Sequence, residues 1–350
     1  MHGSSGQQTI VKRNLNLKMK TIKNLGFWCV LIAASLLVGC NKASDQTSKS
    51  DNASSAKPEP GKIAMAYQPI VFGMPVFVAQ DQKFFEKNNL VVDAKSFTSA
   101  NDMINALVAG QVNMVPGSPL VPALSLESQY PGRFRVFAHS IMTTEKPFDR
   151  IVVKTNSSIT SVKELAGKKL ALIPGTTAMN AMKAYLKNNG VDPTSITYVQ
   201  LAPTAQLAAL QSDAVDALYA YEPVLTIALE QGNYRTISPS VYCSLLNPCP
   251  LVVSIVDRKF EKENPDVTKR AIKSLDEAVQ LMRDDSVKAS ASLANYTKVD
   301  LAITPKVSLQ NMTVGGNMDL ANLQQFIDIL LNIGEIKSKV SAESLVAPTK

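Results

Sequence analysis

Histidine is almost missing from this chain. Only His2 and His139 occur among 350 residues, too few for a metal site built on imidazoles. A Ser-His-Asp arrangement has almost no base to draw on, and no GxSxG nucleophile turn is present. The phosphate-cradling pattern GxxxxGK[ST] is also absent, so any nucleotide-driven step belongs to another chain. Tryptophan is limited to Trp28, and cysteine to Cys29, Cys40, Cys243 and Cys249. An aromatic sandwich around a flat ligand would have to use Phe or Tyr. The uncharged run "LGFWCVLIAASLLVG" at 25–39 has 15 residues, short of the roughly 20 that cross a bilayer as a helix.

That length does fit the apolar region of a secretory signal, about 7–15 residues preceded by positive charge. Lys18, Lys20 and Lys23 supply the charge, and Met19 opens a well-proportioned signal of its own. The residues Leu37-Val38-Gly39-Cys40 resemble a bacterial lipobox, in which cleavage precedes a cysteine that then carries lipid. The expected order is a signal peptide over 1–39, then a lipidated Cys40 with a flexible tether over 40–61, then a folded body. The tether is rich in Ser, Ala, Asp, Lys and Pro, too polar to bury a core. The protein is therefore expected to be exported and lipid-anchored to the cell envelope, facing the periplasm or the exterior. Asn41 stands where inner-membrane retention signals usually carry Asp, which points to the outer membrane. An ordinary signal with an incidental cysteine is the competing reading.

The net charge of +7 overstates the basic character of the body. Residues 1–39 hold five of the 36 basic residues and no acidic one, leaving 31 basic against 29 acidic. With no basic stripe, nucleic acid is not an expected partner. Once Cys29 leaves with the signal and Cys40 takes lipid, Cys243 and Cys249 remain. In an oxidising compartment such an even pair reads as a disulfide pinning a short loop.

The body alternates strand and helix. "KIAMAYQ" (62–68), "LVVDAKSF" (90–97), "VNMVPG" and "RFRVFAHS" (133–140) read as strands, with a helix over 75–89 and another capped by Ser99 and stopped by Gly110. The pattern then repeats. "RIVVK" (150–154), "KKLALIPG", "SITYVQL" and "AVDALYAY" are strands, and "TTAMNAMKAYLKNNG" is a helix with Thr176 or Thr177 as its N-cap. Glu222 and Pro223 are placed in the first turn of the next helix, and "PLVVSIVD" (250–257) is a further buried strand, followed by mostly helical sequence. The expectation is an α/β protein of two lobes, each a mainly parallel sheet flanked by helices. Lobe one begins over 62–149, lobe two covers 150–257 with hinge strands at both ends, and 258–350 returns to lobe one. Ligands in such folds sit beyond the carboxyl ends of the strands, here in a cleft between lobes.

"VKELAGKKLAL.PGT" and the "AAL...AVDAL...EP" run, in this order after "FVAQDQKFFEKNNLVVDAKSF", are similar to the solute-binding proteins of ABC transporters for nitrate, taurine, aliphatic sulfonates and thiamine pyrimidine precursors. The resemblance covers 62 to about 310. It implies a type II periplasmic-binding-protein fold, no catalytic activity, no cofactor, and a small solute as ligand, either a sulfonate- or taurine-like anion or a pyrimidine-like heterocycle. It also implies separate permease and ATPase chains as partners, and action as a monomer. One branch of the fold makes the thiamine pyrimidine at an iron site with cysteines and histidines, and the scarcity of both argues against that here. An envelope scaffold or adhesin that kept the fold is the other alternative.

Gly175, Thr176 and Thr177 join a strand end to a helix N-terminus, where unpaired N–H groups favour an anion; a plain capping turn is the bland alternative. By resemblance "QPIVFGMPV" is the first ligand loop, with Gln68 and Gly73 as contacts and Phe72 or Met74 covering an apolar portion; a loop packed against the core is the alternative. Ser118 could donate to an anion or cap a helix. Tyr219, Tyr221 and Glu222 end a strand, and Glu222 could accept from a ligand amine. His139 stands near a strand end as contact or as structure. Asp149 and Arg150 flank the hinge and could pair with each other.

Overall fold

A computed structural model describes residues 59–315 and 317–348. The signal, the lipobox cysteine and nearly all of the tether lie outside these residues. The described residues form one compact unit built on two sheets.

The first sheet contains β1 (Gly61–Tyr67), β2 (Leu90–Ser96), β3 (Met114–Pro119) and β4 (Phe134–Met142). The second contains β5 (Asp149–Lys154), β6 (Lys169–Leu172), β7 (Thr197–Gln200), β8 (Ala217–Tyr221) and β9 (Tyr234–Thr236). The chain then returns to the first sheet through β10 (Cys249–Asp257) and β11 (Asn311–Val314). The strand orders are β11-β4-β10-β3-β1-β2 and β7-β6-β8-β5-β9.

β1 to β3 and β6 to β8 pair in parallel, as expected of βα repeats. The rest is mixed. β10 lies antiparallel between β3 and β4, β11 is antiparallel to β4, and β5 is antiparallel to both β8 and β9. This corrects the expectation of mainly parallel pairing. It also corrects the boundary at 257: all nine residues of β10 are buried within the first sheet, so lobe two ends before Cys249. A continuous apolar run announces a strand buried on both faces, but not which sheet it joins.

Local chemistry explains most element ends. The Ser99 hydroxyl accepts from the Asp102 N–H (3.1 Å) and starts the helix Ala100–Val108, and Gly110 leaves it at φ +71°. The helix expected over 75–89 is two pieces, Met74–Asp81 and Phe84–Lys87, because Lys83 turns left-handed at φ 57°. Helix Pro265–Asp284 begins with Pro at its first position and buries Ala271, Leu275, Ala278, Val279 and Met282, one stripe at helical spacing.

The two crossings between sheets, residues 143–148 and 237–248, are tied together by Asp149. Its carboxylate is wholly buried. Tyr219 donates to Oδ2 (2.9 Å), as do the Val241 (2.9 Å) and Tyr242 (3.4 Å) N–H groups, while Ser240 donates to Oδ1 (2.5 Å). Burial raises its pKa to about 6, against the pull of these four donors. Arg150 is not its partner; the Nε of Arg150 is buried with no hydrogen bond. Cys243 and Cys249 are both buried free thiols, not the expected disulfide. The loop they would have pinned is already held at Asp149, with Ser240 also accepting from the Cys243 N–H (3.1 Å).

Asp149→Ala should strand two hydroxyls and two N–H groups in the interior and cost roughly 3 kcal/mol or more. Urea denaturation of parent and variant measures it; a loss below about 1 kcal/mol would mean that the crossings are held by something else.

Candidate functional site

The carboxyl ends of β1, β3, β6 and β8 face one another across the gap between the sheets. At the centre lies a cavity of about 20 Å³ whose walls include Gln68, Phe72, Gly175, Thr177, Tyr221 and Tyr242. It holds one or two waters at most. Gln68, Ile70 and Ile173 are shared with a second, outer chamber of about 510 Å³ that opens between Thr98, Leu207, Val224, Ile227 and Tyr296. The two spaces are therefore successive compartments of one cleft.

The helix Thr176–Asn188 points its N-terminus at the inner cavity. Its N-cap is Gly175, at φ +129°, with no side-chain cap. This corrects the assignment of Thr176 or Thr177 as cap. The hydroxyl of Thr177, at the second helical position, is not used to close the helix. Thr177 is 7% exposed, and its Oγ1 has no hydrogen-bond partner. A buried hydroxyl left unpaired costs of order 1–3 kcal/mol, and here it stands beside the unpaired N–H groups of a helix start. Thr176 instead faces a shallow outer groove beside Asn101, its Oγ1 3.4 Å from Asn101 Oδ1.

The opposite wall is backbone locked by side chains. Gln310 donates to the carbonyls of Val71 (3.2 Å) and Phe72 (3.3 Å) and accepts from Ser140 (2.8 Å). Gly117, at φ +77°, lets the Phe72 carbonyl approach so closely that a Cβ would lie 1.9 Å from it. Phe72, Phe148, Tyr221 and Tyr242 form one aromatic cluster, with ring centroids 5.0 Å apart for Phe72–Phe148 and 5.1 Å for Phe148–Tyr221. The hydroxyls of Tyr221 and Tyr242 share a 2.6 Å hydrogen bond, and burial raises the pKa of both phenols, keeping them neutral.

Of the expected contacts, Gln68, Phe72, Gly175, Thr177 and Tyr221 line the inner cavity. The others do not. Met74 is core. A Cβ on Gly73 would meet Phe77 and the Gln68 carbonyl, so this glycine serves loop packing. Ser118 is buried and donates to the Pro119 carbonyl (3.1 Å). Tyr219 is committed to Asp149. His139 lies inside the first sheet, opposite Val253 and Thr313, where burial lowers its pKa and keeps it neutral. Tyr242 was missed in the sequence, since it sits in an irregular segment beside the cysteine that drew attention.

Glu222 is also turned away from the cleft. It precedes the helix Val224–Glu230, and its carboxylate accepts from the Thr226 hydroxyl (2.8 Å) and N–H (3.2 Å). Burial raises its pKa to about 7. The folded protein therefore favours the protonated form. That contribution to stability is full below the ordinary carboxylate range near pH 4 and is lost as pH rises through about 7. Glu222→Gln should flatten the fall in stability between roughly pH 4 and 7, measured by urea denaturation across that range. Parallel curves for parent and variant would show that Glu222 ionises as easily as in water.

Residues 73–289 match the family model described as "NMT1/THI5 like". The taurine-binding periplasmic protein of Escherichia coli K12 is 26% identical over 285 residues, covering 76% of this chain and 85% of that protein. A putative aliphatic sulfonates-binding protein of Bacillus subtilis 168 is 23% identical over 241 residues, covering 67% and 69%. Among solved structures, the alkanesulfonate-binding protein of Xanthomonas axonopodis pv. citri bound to MOPS shares the fold, with TM-score 0.68 at 18% identity over 83% of this chain and 99% of that one. With two mixed sheets enclosing a cleft at their strand ends, and a family match over more than half its length, the chain belongs to the NMT1/THI5-like family.

Proposed function

We propose that this chain is an extracytoplasmic solute-binding protein that captures a small organic anion, a sulfonate above all, between its lobes and delivers it to the permease of an ABC importer. Thr177 carries the reading. A helix N-terminus and a buried, unpartnered hydroxyl meet at the inner cavity, and together they are donors in want of an acceptor. An oxyanion satisfies both without a cationic side chain. The relatives named for taurine and for aliphatic sulfonates are named for molecules with such a head.

The lobes already touch on either side of the cleft, through Asn180 with Glu335 and Lys306 with Glu230. A solute bridging them shifts the population further towards closure. A lipid on Cys40 would hold this receptor beside its transporter, with permease and ATPase as separate chains. Among the described residues no three His, Cys, Asp or Glu side chains gather as a metal-binding group, and His139 lies in the sheet.

A thermal-shift panel of sulfonates, nitrate, carboxylates and pyrimidines on the purified protein tests the reading. A ligand at about 100 times its Kd adds about 2.7 kcal/mol. No shift with any sulfonate or carboxylate would refute an organic-anion receptor. Thr177→Val should bind the active ligand about tenfold more weakly while being as stable as the parent or more so, since the hydroxyl it removes is unpaired. Undiminished affinity would move the anion away from this helix end.

A further inference from the structure

The outer chamber is the larger part of the cleft, and the inner cavity cannot hold a solute of any size alone. About 20 Å³ leaves no room for an acid head together with its body, whereas about 510 Å³ is within the range of small-molecule sites. The chamber's lobe-two wall is apolar: Leu207, Val224 and Ile227, joined by the prolines Pro203 and Pro223. Charge is almost lacking. Among the described residues that line the two spaces, Lys298 is the only charged one, and neither space has an Asp or Glu in its lining.

The carboxylates nearby are already engaged. Asp81, behind Tyr296, accepts from the Tyr296 hydroxyl (3.2 Å) and the Asn295 amide (2.9 Å). Glu222 is turned into the protein by Thr226. Asp102 lines the groove on the outer side of Gly175 rather than these spaces, and accepts from Ser99 (2.9 Å). An ammonium group brought into the chamber would lose its water and find no counter-charge, a large penalty.

Resting on the reading of the inner cavity as an acid-head site, we infer that the solute has an apolar body several carbons long and no amino group: its head is held at Thr177 and its body fills the outer chamber against Leu207, Val224 and Ile227. The class is that of alkyl or aryl acids, not the aminosulfonate for which the Escherichia coli relative is named.

Calorimetric titration with unbranched alkanesulfonates and alkanoates from two to eight carbons tests this, with taurine set against its near-isostere propanesulfonate. Affinity should rise about fourfold per methylene until the chamber fills, and taurine should bind at least tenfold more weakly than propanesulfonate. The two series separate a sulfonate head from a carboxylate head. Leu207→Trp, at a half-buried position of the wall, should abolish the gain in affinity with chain length; Ile227→Trp is the second variant should the first not fold. Affinity flat with chain length, or taurine equal to propanesulfonate, overturns the inference while a Thr177→Val loss with the short acids keeps the head site. If no acid of any length binds, both the inference and the reading beneath it fail.

Discussion

One buried carboxylate holds the two lobes in register. Asp149 sits where the chain first enters the second sheet, and three of its four donors come from the segment that leaves it. Taking a carboxylate out of water is costly unless donors replace the water, and the raised pKa near 6 records that the replacement is incomplete. The folded state accepts this cost because the same contacts place Tyr219, Tyr221 and Tyr242. Hinge and ligand wall therefore share one anchor. The ring cluster over the anchor keeps water out, and dryness makes the four hydrogen bonds strong.

The cleft has the opposite electrostatic character. Its inner wall offers neutral donors, a helix end and apolar surface, and among the described lining residues Lys298 of the outer chamber is the only charged one. An anion held this way is bound by fixed dipoles, so its release needs no disrupted ion pair.

Much of this was legible in the sequence, for a physical reason. β1 to β8 and the helices between them are written in local patterns, alternation or 3.6-residue spacing closed by Ser99, Gly110 or Gly190. The short edge strands β9 and β11 carry too few residues to show a pattern, and the sheet to which β10 belongs is a tertiary fact. The site divides the same way. Gln68, Phe72, Gly175, Thr177 and Tyr221 follow strand ends or open a helix, where topology alone predicts a cleft. Ser118, His139 and Glu222 look identical at that level, and only their partners, Pro119, the neighbouring strands and Thr226, reveal that they face the interior. The expected disulfide failed because cysteine counting cannot see that Asp149 already fixes the loop. Tyr242 gave no local signal at all.

The contact between Gly117 and the Phe72 carbonyl has a consequence for how such a protein can change its cargo. On the lobe-one side the cleft floor is main chain laid against main chain, braced by Gln310. That packed main chain cannot shift without moving the fold, although Gln68, Ile70 and Phe72 still offer side chains to the cleft. The lobe-two side is built of exchangeable aliphatic side chains on helices. Change in the cleft is thereby easier on one lobe than on the other: the packed floor resists it, and the aliphatic wall opposite accepts it.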